Sequence, residues 1–110
     1  MQISRLDART HLSIEMALAG DRAAPALIRQ QDAAAVKMGM CGAEIDAARA
    51  GRSFDVRGTR ALELALAVGR GDYRNVRARA IEAGIDEEVC REIERVAGAH
   101  ASSAGANRHG

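Results

Sequence analysis

Two stretches constrain this chain more than any others: "IEMALAGDR" at 14–22 and "LELALAVGR" at 62–70. Each is an aliphatic run broken by a single carboxylate, Glu15 or Glu63, and each meets a glycine. Neither approaches the roughly 20 apolar residues a bilayer-spanning helix needs. The residues are Ala, Leu, Met and Ile rather than aromatic or mostly β-branched types, which favours helix over strand. Across the 110 residues, apolar types make up 47% and aromatic types 2%, and Pro25 is the only proline. An all-α fold follows, with two apolar helices buried among the others. A chain of this length makes one domain with a modest core.

Glycines and capping residues divide the chain into six helical segments. The first is expected from about Leu6 to Ala19, with Leu12, Met16 and Ala19 on one face at i, i+4, i+7. "GDRAAP" breaks it; Asp21 stands where an N-cap belongs, and Pro25 suits a first turn. The second helix carries Leu27, Ile28, Ala34, Ala35 and Met38 up to Gly39. A short third helix places Ile45 and Ala48 inward and closes at Gly51. "RSFDVRG" reads as a connector anchored on the core by Phe54. The fourth helix is "TRALELALAVGR", with Thr59 as its cap. The fifth follows Asp72 and ends at Gly84. The sixth follows Asp86, with Ile85, Val89, Ile93 and Val96 lining one face. Residues 1–99 form the domain on this reading, and the small, polar segment 100–110 is expected to be a mobile tail.

"IEMALA" answers "LELALA", and the glycine-led segment at 39–45 answers that at 84–89. The chain therefore reads as two related three-helix units with a degenerate repeat. Packed face to face, they would bury both apolar helices.

With 16 basic and 15 acidic residues, the net charge is +1. No broad field marks a nucleic-acid or membrane partner. Arg70, Arg74 and Arg77 fall at i, i+4, i+7 on the fifth helix with Arg79 beside them, but only Tyr73 is interleaved, so a solvated or subunit-bridging face is expected. No apolar signal-peptide core opens the chain. Cys41 and Cys90 belong to no paired motif, and free thiols in a reducing, cytoplasmic setting are expected.

Two readings are open for Glu15: a general acid or base paired with His11 one turn earlier, or a solvated acid on an outer stripe. Glu63, with Arg60 at i−3 and Arg70 at i+7, is expected to form an ion pair. Cys41 and Cys90 each lie near a helix start, where a thiolate is stabilised, yet lone cysteines also serve as small core residues. His11, His100 and His109 show no metal-ligand spacing, so neither a metal nor a cofactor is expected.

The segment "QDAAAVKMGMCGAEIDAARAGRSFDVRGTRALELALAV" resembles the alkylhydroperoxidase D-like and carboxymuconolactone decarboxylase family. Members often read "H-x-x-x-A-x-x-x-G-hydrophobic-x-x-x-E-I", then "A-x-x-x-G", a "D-x-R" connector and a second apolar helix. The likeness spans roughly residues 10 to 98 and rests on spacing and small residues. It implies an all-helical fold of the alkylhydroperoxidase D-like class and a homo-oligomer, trimer or hexamer.

Thiol-active members carry C-x-x-C, with His four residues after the second Cys and a Glu on the preceding helix. Registered on Gly39, the His position falls on Gln31 and the two Cys positions on Leu27 and Ala24. The Glu position falls near Leu12, with Glu15 three residues late. The resemblance therefore implies a divergent member without thiol peroxidase chemistry, an oligomeric small-ligand binder or scaffold. It leaves a second course open, a non-thiol enzyme of the decarboxylase type acting on a small carboxylate lactone. His11, Glu15 and Gln31 would then line a pocket, and Arg29 would hold a small anionic ligand. A third course is an atypical peroxidase using Cys41.

Overall fold

The computed structural model describes residues 6–107, with side chains placed for 6–100. His109 lies outside the described residues. Six helices follow in order: α1 Ala8–Ala19, α2 Pro25–Lys37, α3 Gly42–Arg49, α4 Val56–Ala67, α5 Tyr73–Glu82 and α6 Glu87–Asn107. No strand occurs among the described residues, and none of these helices is long and apolar enough to cross a membrane. The fold is all-α, as the residue types require.

Local chemistry sets the boundaries. Asp7 caps α1 by accepting from the Thr10 N–H at 2.7 Å, and the chain leaves the helix at Gly20 with φ +58°. Pro25 opens α2, where its missing N–H costs nothing. The Glu44 carboxylate reaches back to the Cys41 N–H at 3.0 Å and fixes the start of α3. Asp55 caps α4 by accepting from the Gly58 N–H.

Several sequence expectations differ from the structure. Ala24, not Asp21, occupies the α2 cap position. Helix α4 starts one turn before Thr59, at Val56. The Thr59 hydroxyl serves the connector instead, accepting from Ser53 N at 3.0 Å and donating to Ser53 O at 3.1 Å. Phe54 is not an anchor: it stands 66% exposed. Arg70 precedes α5, so the four arginines do not share one helix face. Helix α6 continues through Asn107, beyond the start of the expected tail.

Helices α1 and α4 pack on each other in the middle. Helix α1 also meets α2, α3 and α6, and α4 also meets α5 and α6. Ile14, Met16, Leu62 and Leu64 are fully buried, joined by Cys90 and Ile93 of α6. Ile14 and Met16 point about 200° apart around their helix, so α1 has neighbours on opposite sides. Full burial of each such side chain contributes roughly 1.5–3 kcal/mol. The expected α6 stripe is present: Ile85 and Ile93 are buried, and Val89 and Val96 pack against the core.

The lone acids occupy what remains of the outer surface of these helices. Glu63 pairs with Arg60 at 2.8 Å, as its spacing predicts. Glu15 stands beside His11. A helix otherwise enclosed keeps one half-exposed stripe, and the acid sits there.

Helix α2 is held differently. Only Gln31 and Ala35 are buried along it. A polar clamp from Arg49 of α3 ties it to the bundle.

Candidate functional site

Gln31 lies on the inner side of α2, 8% exposed. Its Oε1 accepts from Arg49 Nη1 at 3.0 Å. The same nitrogen donates to Gly20 O at 3.2 Å, while Arg49 Nη2 donates to Ile28 O at 3.1 Å and Asp32 Oδ1 at 2.8 Å. One guanidinium on α3 therefore holds the last turn of α1 and the first turns of α2 together. The Arg49 side chain is 9% exposed, and Asp32 supplies its counter-charge. A carboxamide and a guanidinium exchange no proton near neutral pH, so this arrangement fastens helices and relays nothing.

The positions registered to the redox pair carry no sulfur. Ala24 is the α2 cap residue and Leu27 is half-exposed on the first turn. Gln31 follows one turn later, turned towards Arg49 rather than His11. Arg29 is exposed on the same helix.

His11 and Glu15 sit together on α1, with His11 Nδ1 3.8 Å from Glu15 Oε1 and side chains 41% and 47% exposed. That separation is an ion-pair distance when the imidazole is protonated and too long for a hydrogen bond. The pair lines a shallow dent with Arg95, Val96, Ala99 and His100 of α6. Gln31 and Arg29 do not reach this dent, so the structure does not gather the four candidate residues at one place. His100 lines the same dent as His11, a placement no sequence spacing announced. Among the described residues, no group of three or more His, Cys, Asp or Glu side chains is placed to hold a metal ion.

The cysteines differ in setting. Cys41 is exposed at the start of α3. Its N–H holds the Glu44 carboxyl below the usual range, helped by the Arg9 guanidinium 2.9 Å away. Cys90 is fully buried in α6, and burial pushes its thiol up against the opposing pull of Arg77. A thiol held in its neutral form is a poor nucleophile and a good core residue.

Between α5 and α6, Arg77 Nε donates to Glu94 Oε2 at 2.9 Å, and Nη1 lies 3.5 Å from Glu87. The Tyr73 hydroxyl donates to the same Glu94 oxygen. Burial pushes the Glu94 carboxyl up from its ordinary value. Arg77 thus bridges α5 and α6 within the chain. Comparison with protein-family models, curated proteins and solved structures finds no match for this chain.

Proposed function

We propose that this protein is a divergent alkylhydroperoxidase D-like module without thiol redox chemistry, acting as an oligomeric small-ligand binder or scaffold. The observation that carries this reading is the Arg49 clamp. Where the resemblance registers two cysteines and a histidine, the chain has Ala24, Leu27 and Gln31, and Gln31 is occupied by a buried cation. A thiolate cascade needs an attacking sulfur, a resolving sulfur and a proton carrier. None of the three stands at these positions. Peroxide consumption with a dithiol reductant tests the reading, and no turnover above a protein-free control is expected.

Self-association into a trimer or hexamer is part of the proposal. Helix α2 supports it: Leu27, Val36 and Met38 are exposed along a helix that buries only two of its residues. Free thiols and the lack of any membrane-crossing helix among the described residues fit a cytoplasmic setting.

A second reading is a decarboxylase-type enzyme that does without cysteine. The proximity of His11 and Glu15 favours it, since an imidazole and a carboxylate one turn apart can move a proton. Turnover of a small carboxylate lactone that is lost in both His11→Gln and Glu15→Gln would support it. Turnover retained in either variant would remove it.

A further inference from the structure

A cleft of about 200 Å³ opens between the first turns of α1 and α4 and the flank of α3, away from the Arg49 clamp and the α1–α6 dent. It is smaller than the roughly 300–1,000 Å³ of drug-sized pockets, which restricts it to a small ligand. Its floor is apolar and buried, made by Met40, Ala48 and Leu62. Phe54, the chain's only phenylalanine, stands at the mouth.

The connector holds Phe54 there rigidly. Ser53 N and O are both bonded to Thr59 Oγ1, and Ser53 Oγ accepts from Asp55 N at 3.4 Å. A Cβ on Gly58 would lie 2.4 Å from Ser53 Oγ, so the loop closes onto α4 with no spare room. An aromatic ring two-thirds exposed on a fixed loop is costly to leave wet, and a ligand beneath it would remove that cost.

The polar rim is specific. Arg9 and Glu44 neutralise each other at 2.9 Å. Asp7 and Asp55 each commit Oδ1 to a helix cap, leaving Oδ2 without a partner among the described residues. The Arg52 guanidinium and the Thr10 and Ser13 hydroxyls also line the cleft with no described partner. Open carboxylate oxygens, an open guanidinium and an apolar floor complement a molecule carrying an ammonium, a carboxylate and an apolar group.

We infer that this cleft binds a free α-amino acid with an apolar side chain. The carboxylate meets Arg52 and the Ser13 hydroxyl, the ammonium meets Asp7 and Asp55, and the side chain covers Leu62 under Phe54. The inference rests on the ligand-binding part of the proposed function but uses other residues. Peroxide turnover would overturn the non-redox reading without touching this cleft, and a failed titration would leave that reading intact.

The test is an amide-resolved NMR titration of the full chain with L-phenylalanine, phenylacetate and phenethylamine. Saturable shifts at Thr10, Ser13 and Ser53 are expected with L-phenylalanine, and binding about tenfold weaker with each singly charged probe. Arg52→Gln and Asp55→Asn should each weaken L-phenylalanine about tenfold; Asn keeps the α4 cap, so the fold is retained. Arg95→Gln, at the α1–α6 dent, should change nothing. The inference fails if no saturable shift appears up to ~10 mM, a weaker affinity than any working site needs. It also fails if shifts map to the α1–α6 dent, if phenylacetate binds as tightly as L-phenylalanine, or if both cleft variants bind like wild type.

Discussion

Arg49 Nη1 donates to Gln31 Oε1 at 3.0 Å across the interface of α3 and α2. Gln31 is thereby a fixed acceptor for a buried cation. Four acceptors converge on that guanidinium, one a carboxylate. Breaking a buried, hydrogen-bonded ion pair by removing one partner typically costs about 3–5 kcal/mol. Asp32 is 45% exposed and recovers water when released, which lowers the figure. Arg49→Leu should destabilise by about 3 kcal/mol, read as a lower urea midpoint with an unchanged slope. Gln31→Ala, which leaves Asp32 in place, should cost about 1 kcal/mol.

Gly51 ends the third helical segment with φ +83°, and a Cβ there would lie 2.8 Å from Leu66 Cδ1. Both the backbone conformation and the packing oppose a side chain. Gly51→Ala should destabilise by about 1–2 kcal/mol. Thermal unfolding measures it, and pairing the change with Leu66→Ala should recover only the steric share.

The lowered Glu44 carboxyl gives a pH dependence of known sign. Its charged form is favoured in the folded chain, first by the Cys41 N–H and then by Arg9. The stability it contributes is complete above the ordinary value of 4.5 and is lost as pH falls through the lowered folded value. Between roughly pH 5 and pH 3, the urea midpoint of the native chain should fall more steeply than that of Glu44→Gln.

Exposed Leu27 and Met38 sit near the two ends of α2, on the side of Gln31 and Ala35 but open to solvent. If assembly uses this helix, Leu27→Glu/Met38→Glu should lower the native mass from trimer or hexamer to monomer. Circular dichroism should stay helical, because neither side chain is buried within the chain.

Much of the fold was legible because helical period and glycine punctuation are local signals. Ile85, Val89, Ile93 and Val96 lined one face because three short sequence steps suffice to specify it. Ends were harder where two caps competed. Thr59 and Asp55 both suit an N-cap, and Asp55 prevailed through the Gly58 N–H, freeing Thr59 to brace Ser53. Phe54 misled because apolar character alone predicts burial, whereas the bonded connector turns its ring outward. The Arg49 clamp joins residues 17 and 18 positions apart through a polar side chain. An arginine in "DAARAG" carries no periodic mark of burial. The same holds for His100, which shares a dent with His11 only because α6 packs on α1.

The proposal that this chain lacks a working thiol pair is tested most directly by treating the purified chain with hydroperoxide and following intact mass beside peroxide concentration. The account predicts no mass loss of two hydrogens within one chain and no catalytic peroxide removal when dithiol is added. An intrachain disulfide that forms with turnover, both abolished in Cys41→Ser, would contradict it.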